Sequence, residues 1–511
     1  MSTPLTQRVA RNTAWFTAGS LLQKLISFVY FTIIAMVFGV SGTGKYFFAL
    51  TFTTLFAIIA DWGIAPTITR EFAKSREAGT SLLAAATAIK CIGAGIAATM
   101  ATVIAAAAGY PISTQQMIFV AIAAMVFDSV HQGLYAALRG LQRVHYEAVG
   151  VVLGQIMLTV SGVIMIWVVG DVQVISWAPI RLAARREVHP VLLLVPYILT
   201  SLTNILAGIV GWMRERIPAP RLSCTKAQLL LLLRMATPFA ITAGLARLYT
   251  YSDTFLLSLL QSEEVIGYYG TPFKIAFAFQ FIPLALIGAL YPAMSAVAVR
   301  DRAQVGVLFE QSVRVLLLIA IPIAAGIGVL AEEIVLFVYG PAFLPSVVPL
   351  IVLIAALPCI FANFPAGYLL NACDRQSWNT GLIAAATVLN VAANLLLIPS
   401  FGATGAAIAA TGSSVVLFIM NLVVLRRAVH YRIATIVDAA IRIGAAATCM
   451  IAAILLLPIG TLPVRIVIGA LVYSAGLFVT RGVRMTDLRT LRNAFQRHPG
   501  ALPTTSASVP T

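Results

Sequence analysis

Apolar runs of helix length recur about fourteen times along this chain. They fall near residues 14–38, 46–65, 82–108, 112–138, 148–169, 190–212, 236–260, 266–293, 315–338, 343–370, 378–398, 403–425, 434–458 and 463–480. About 20 apolar residues cross the roughly 30 Å hydrocarbon layer of a bilayer. A backbone in that layer must satisfy its polar groups internally, so such a chain is expected to fold as an all-α integral membrane bundle. Composition agrees: 60% of the 511 residues are hydrophobic and 10% are charged, whereas soluble domains carry about 25% charge. The first run is too long for the core of a signal peptide and lacks a small-residue cleavage site, which predicts a retained first helix. Cys91, Cys224, Cys359, Cys373 and Cys449 are scattered, with no histidine at ligand spacing. No disulfide framework, metal site or cofactor is therefore expected.

The connections between runs alternate in charge. Arg8 and Arg11, Arg70/Lys74/Arg76, Arg139/Arg143, Arg214/Arg216/Arg221/Lys226, Arg300/Arg302, Arg375, Arg426/Arg427/Arg432 and a basic tail from Arg481 all fall on one side. The positive-inside rule places that side, and both termini, in the cytoplasm. The net charge of +16 is thus read as helix orientation and not as a nucleic-acid surface. The other side carries Lys45, Arg465 and the cluster Arg181/Arg185/Arg186 within the outer loop 171–189. That loop is expected to be an interfacial amphipathic helix with Trp177 at the boundary; the alternative is an outer contact for an anionic substrate. Beyond Arg481 the Pro/Ser/Thr-rich tail reads as disordered. GTGK at Gly42–Lys45 lacks the spacing of a phosphate loop, so ATP hydrolysis on this chain is not expected.

Two landmarks repeat. The hairpin Arg247–Pro292 carries Gly267-Tyr268-Tyr269 where the first hairpin carries Gly44-Lys45-Tyr46, and Lys24 lies in the first run as Arg247 does in the later one. Gly133–Met157 and Gly367–Asn390 share a helix–turn–helix plan, with Arg143 and Arg375 at similar places. Offsets of about 220–235 residues span six helices, an even number, so the copies are related as a parallel repeat. This predicts an N-terminal six-helix lobe (1–216), a C-terminal six-helix lobe (217–430), two extra transmembrane helices (431–480) and a basic cytoplasmic tail (481–511).

Charge inside the apolar runs points to a ligand. Lys24 and Arg247 lie about 15 Å deep by helical rise, with Lys90 and Lys274 shallower. Ser20, Gln23, Lys24 and Ser27 share one helix face, as do Arg247, Tyr251, Thr254 and Ser258, and Asp128, His131, Gln132 and Tyr135. Four unmatched cations would cost on the order of 10 kcal/mol in hydrocarbon. Only Asp128 and Asp253 are buried acids, so a positive surplus remains that suits a phosphate or pyrophosphate. Lys24, Arg247, Lys274 and Lys90 are the candidate substrate-binding residues; Asp61, Asp128, His131 and Asp253 are candidates for gating or coupling. Each has a structural alternative: Asp253 as the ion-pair partner of Arg247 or Lys274, His131 as a hydrogen-bonded bundle histidine, and Lys90 snorkelling to the interface. Prolines 238, 272, 283, 322, 358 and 365 are expected to kink their helices.

These residues resemble the polysaccharide transporter branch of the multidrug/oligosaccharidyl-lipid/polysaccharide exporter superfamily, the lipid-linked oligosaccharide flippases, over nearly all of Arg8–Arg427. The markers are the glycine–tyrosine turn, DWGIAPTITRE at Asp61–Glu71 (Trp62 departs from the usual Asp-Leu-Gly-Leu pattern), Leu138-Arg139-Gly140-Leu141-Gln142 and LNVAANLLLIPSFGATGAAIA at Leu389–Ala409. The resemblance implies a non-enzymatic flippase of the cytoplasmic membrane that moves a polyprenyl-pyrophosphate-linked oligosaccharide by alternating access. Its setting would be the phospholipid membrane, with glycosyltransferases or a polymerase as functional associates. It also implies a groove for the lipid tail at the last two helices. A drug/cation antiporter of the same superfamily would need an acid-dominated cavity, and a polysaccharide polymerase a large outer loop or an acidic cluster.

Overall fold

A computed structural model describes residues 5–177, 180–184, 189–219, 224–300, 302–457 and 460–482. Among these, twelve helical segments are long and apolar enough to cross a membrane. Two of them, Ala18–Asp61 with 44 residues and Gln376–Leu425 with 50, have twice the length one crossing needs. Each holds one glycine with non-helical backbone: Gly39 at φ 63°, ψ −163° and Gly402 at φ 51°, ψ −127°. Residues with a Cβ rarely adopt such angles. The chain folds back at both. The rings of Phe31 and Tyr46 are 6.2 Å apart, where a straight helix would hold them about 22 Å apart. Asn390 Nδ2 donates to Ser413 Oγ at 3.2 Å, against about 35 Å along a straight helix. Twelve segments, two of them crossing twice, make fourteen crossings.

The N-terminal lobe comprises α1 (Leu5–Asp61), α2 (Ile64–Lys74), α3 (Arg76–Ala107), α4 (Ile112–Gly140), α5 (Val144–Gly170) and α6 (Val195–Arg214). The C-terminal lobe runs from α7 (Lys226–Leu260) and α8 (Glu263–Ala278) through α9 (Phe281–Arg300), α10 (Arg302–Val329), α11 (Ala331–Val338), α12 (Val347–Ala355) and α13 (Leu357–Ala372) to α14 (Gln376–Leu425). A final pair, α15 (Ile433–Leu456) and α16 (Leu462–Val479), packs on α10. Two expected kinks are helix breaks. α8 stops at Ala278, before Pro283, and α12 stops at Ala355, before Pro358, because proline has no N–H for the helical ladder. α7 starts on a capping box in which Thr225 and Gln228 satisfy each other's backbone N–H groups.

The lobes meet along α1 and α8. A Cβ on Gly44 would collide with the Glu263 carbonyl, and one on Gly267 with the Val40 carbonyl. Both pairs obey the same spacing of 223 residues (44 to 267, 40 to 263). A contact in which i meets j and the mate of j meets the mate of i is the mark of a two-fold axis. Two glycines thus let the backbones of the two copies touch. An aromatic core crosses the junction, with Phe47 5.5 Å from Phe273 and 6.4 Å from Phe31 between ring centroids.

Loops grouped together by their positive charge also converge in space. Arg76 donates to the carbonyls of Glu215 and Arg216, and Arg143 pairs with Glu215 at 3.0 Å. At the opposite end the loop after α5 departs from expectation. It is not a helix but an antiparallel hairpin, β1 (Val172–Trp177) on β2 (Ile180–Ala184), with Val172 opposite Ala184 and Trp177 opposite Ile180. Val172, Val174 and Ile175 are β-branched, which favours a strand, and Pro179 breaks any helix through the loop. Arg185 and Arg186 lie outside the described residues.

The reciprocal glycine contact makes a prediction. In a background without native cysteines, Ser41→Cys and Glu263→Cys should be joined by a short bifunctional thiol reagent. Adding Gly44→Ala should lower that yield severalfold, since overpacking of this kind costs about 1–3 kcal/mol. An unchanged yield would mean that the two backbones do not touch there.

Candidate functional site

Between the lobes lies a cavity of about 430 Å³. From the first copy α1 contributes Lys24, Ser27 and Phe28; from the second, α7 contributes Arg247, Thr250 and Tyr251; α8 adds Phe273, Lys274 and Phe277. Lys24 and Arg247 stand at the same 223-residue spacing that relates Gly44 to Gly267, and so do Ser27 with Thr250 and Phe28 with Tyr251. The repeat therefore sets one cation, one hydroxyl and one aromatic ring from each lobe around a shared space. Lys274 breaks the symmetry, because its mate by the same spacing is Thr51.

Among the described residues, no aspartate or glutamate lines the cavity. Arg247 Nη1 donates to the carbonyl of Thr54 at 2.8 Å, and Lys274 Nζ sits 5.3 Å from the ring centre of Phe31, a cation–π contact. Among the described residues none of the three cations has an acid within ion-pair distance. The structure thus brings Lys24, Arg247 and Lys274 together and leaves Lys90 out.

The acids are held elsewhere. Lys90 Nζ lies 2.5 Å from Asp61 Oδ1, both side chains being largely buried, and Asp61 Oδ2 also accepts from Ala65 N at 3.4 Å. Lys90 is therefore an internal ion-pair partner that does not snorkel, and Asp61 ties α1 to α3. Asp253 is fully buried and pairs with neither Arg247 nor Lys274. Its carboxylate accepts from Tyr269 Oη at 2.7 Å and from Asn394 Nδ2 at 2.6 Å. Asn394 Nδ2 also donates to Asn390, which accepts from Ser252 and donates to Ser413. This polar knot joins α7, α8 and both arms of α14 and was not singled out from the sequence. Its signal was Asn390 and Asn394 four residues apart, on one face of an apolar run. Asp128 accepts from Ser201 at 2.6 Å and lies 3.4 Å from His131 Nδ1; Gln132 shares their helix, and Tyr135 Oη donates to Asn204 at 2.9 Å.

Glu263, too, was not singled out from the sequence. Glu263 stands 3.2 Å from Lys45, and accepts from Thr114 at 2.5 Å and from Ser41 at 3.5 Å. It is a C-lobe acid seated among N-lobe donors beside the Gly44–Gly267 contact. Tyr110 and Ser258 hydrogen-bond across the same seam at 2.9 Å.

Two lobes related by a parallel repeat around a central cavity define a multi-pass membrane protein with the exporter fold. The chain belongs to the family described as polysaccharide biosynthesis protein, which it matches over residues 9–298. The fold resembles that of lipid II flippase MurJ in an inward closed conformation, with a TM-score of 0.73 at 15% identity, covering 91% of this chain and 98% of that one. It also resembles an inward-facing multidrug resistance MATE family transporter of the MOP superfamily, with a TM-score of 0.62 at 16% identity, covering 79% of this chain and 94% of that one. At such identities the likeness concerns the fold alone. Among curated proteins the chain is similar to two from Haloferax volcanii. One is the probable low-salt glycan biosynthesis flippase Agl15, 25% identical over 162 residues; the other is the probable flippase AglR, 29% identical over 169 residues. Each match spans 32% of this chain and 34% of the relative.

The Asp61–Lys90 pair can be tested apart from any ligand. Breaking a buried pair by removing one partner costs about 3–5 kcal/mol, because the other charge is left alone. Lys90→Gln is therefore expected to lower the amount of membrane-inserted protein. Asp61→Asn with Lys90→Gln should restore most of it, as read by quantitative immunoblotting of membranes. Equal abundance of the single variant and the wild type would show that the pair contributes nothing to stability.

Proposed function

We propose that this protein is a flippase of the cytoplasmic membrane, both termini in the cytoplasm, that carries a polyprenyl-diphosphate-linked oligosaccharide to the outer leaflet. The observation that carries the reading is a cavity with three cations, Lys24, Arg247 and Lys274, and no acid among its lining residues. Three unpaired cations at membrane depth would each cost about 2.5–3.5 kcal/mol on insertion scales. An anionic ligand that binds there recovers that penalty. A diphosphate has two like phosphoryl groups, and Lys24 and Arg247 are two-fold mates, so each can take one. Arginine offers a planar fork and lysine a point charge. Lys274, without a charged mate, gives the pair a direction. The family of the chain and the names of its Haloferax relatives support the same reading.

A drug or cation antiporter would need acids facing the cavity. Here Asp61 is taken by Lys90, Asp253 by Tyr269 and Asn394, and Asp128 by Ser201 and His131. Alternating access then amounts to the lobes parting at the Gly44–Gly267 seam, where Glu263 must leave Lys45 and Thr114. Asp253, Asp128 and His131 are the proposed coupling residues. The groove beside α15 and α16 would hold the lipid tail, and glycosyltransferases or a polymerase would act on either side of the step.

Lys24→Ala and Arg247→Ala should each abolish most export of lipid-linked sugar per unit of inserted protein, with Lys24→Glu and Arg247→Glu worse because like charges repel. Arg247→Lys should retain part of it. Normal export from both alanine variants would end the diphosphate reading. The orientation has its own check. Single cysteines at residues 214–219 should resist a membrane-impermeant thiol reagent in intact cells, while those at 180–184 should react. The reverse pattern would invert the assigned sides.

A further inference from the structure

Two of the cavity's cations are held across the lobes. Arg247 of α7 donates to the Thr54 carbonyl of α1, and Lys274 of α8 lies over the Phe31 ring of α1. The two ties differ in what they leave free. A guanidinium carries several N–H donors in a fork, so Arg247 can meet an anion and keep its bond to Thr54. An ammonium is a single point charge. The ring face beneath it has negative potential and repels a phosphate, so Lys274 serves the ring or the anion in turn.

Phe31 is buried and lies on α1 between Lys24 and Gly39, while Lys274 lies on α8 between Gly267 and the cavity residue Phe277. Their contact therefore sits between the cavity and the Gly44–Gly267 seam. It belongs to an aromatic roof in which Phe31 stands 6.2 Å from Tyr46, 6.4 Å from Phe47 and 6.4 Å from Tyr339 of the other lobe, between ring centroids. The repeat supplies no second copy of the tie. At the 223-residue spacing Phe31 corresponds to Thr254 and Lys274 to Thr51.

We infer that the Lys274–Phe31 contact is a ligand-released tie: the anion that enters the cavity takes Lys274 from the ring, and the roof is then free to part at the seam. The inference rests on the diphosphate reading above. A ligand shifts a conformational equilibrium only by the difference in its affinity for the two states. Here that difference is the tie itself, because the anion competes with the ring in the closed state and not in the parted one. An empty cavity leaves Lys274 on Phe31, which disfavours parting without cargo. Phe31 touches no ligand; it is a positioning residue that acts through Lys274. Linkage then requires that removing the ring both favours parting and tightens anion binding.

The test uses the full-length protein without native cysteines in nanodiscs, with undecaprenyl diphosphate as the probe. Spin labels at Ile112→Cys and Leu344→Cys, exposed positions at the seam end of each lobe, report the separation. With no other substitution, adding the probe should lengthen the label distance. Phe31→Leu and Phe31→Met should lengthen it without the probe and bind the probe about fivefold more tightly, the scale of one cation–π contact. Phe48→Leu thins the same aromatic core, where its ring packs on Phe52 and Tyr110, and should do neither. Lys274→Met removes the tie from the other side, so it should lengthen the distance without the probe while binding more weakly. That variant carries the test if the Phe31 variants fail to insert. Unchanged or weaker binding by both Phe31 variants, or a distance that neither probe nor variant alters, would overturn the tie while the diphosphate reading stands. If the protein with native Phe31 and Lys274 does not bind the probe, the diphosphate reading fails and the tie falls with it.

Discussion

Hydrocarbon solvates neither charges nor free backbone groups, and most of this architecture answers that one constraint. Every backbone N–H at membrane depth must find a carbonyl within the protein, which leaves helices as the building material. Every charge at that depth must find a partner or face a polar space. The chain divides its buried charges between those two solutions. Asp61 and Lys90 neutralise each other, and Asp253 is enclosed by the hydroxyl of Tyr269 and the amide of Asn394. Lys24, Arg247 and Lys274 share one cavity and, among the described residues, have no acid within ion-pair distance. On the proposed reading, sequestering the acids matters as much as supplying the cations, because a carboxylate within reach would compete with an anionic ligand.

The repeat turns this chemistry into symmetry. A spacing of 223 residues relates Gly44 to Gly267 at the seam and Lys24 to Arg247, Ser27 to Thr250 and Phe28 to Tyr251 in the cavity. Seam and cavity are thus built by the same pair of helices from each copy and lie on one axis. Moving the lobes about that axis must change both together. The two copies have nonetheless diverged where one of each pair suffices. Lys274 faces Thr51 across the relation, and Lys45 corresponds to Tyr268, so the Lys45–Glu263 pair is present once.

Length and hydropathy were enough to read the crossings, because a run of about twenty apolar residues has few alternatives in a bilayer. The apolar runs 14–38 and 46–65 place a turn where the structure folds back at Gly39, and 378–398 and 403–425 do the same around Gly402. The loop after α5 is where the charge pattern and the structure diverge. Its arginines and tryptophan fit an amphipathic helix, but Pro179 and the β-branched residues before it favour a hairpin, and pairing partners twelve or fewer residues away satisfy the backbone. Local propensity there outweighed the charge pattern.

Periodicity on a single helix can say which residues share a face and how deep each sits. It placed Lys24 with Ser27 and Arg247 with Tyr251, at equal depth, because the helical rise and turn are fixed by the backbone. It cannot say which face meets which, since that depends on how fourteen helices pack. Only the tertiary structure decided that Lys90 lies against Asp61 and away from the cavity, that Asp253 faces Asn394 and not Arg247, and that Glu263 crosses the seam to Lys45. Those partners come from elements 29, 141 and 218 residues apart in the chain (61 to 90, 253 to 394, 45 to 263). Contacts between helices so far apart depend on close packing of side chains, which one helix's pattern does not encode.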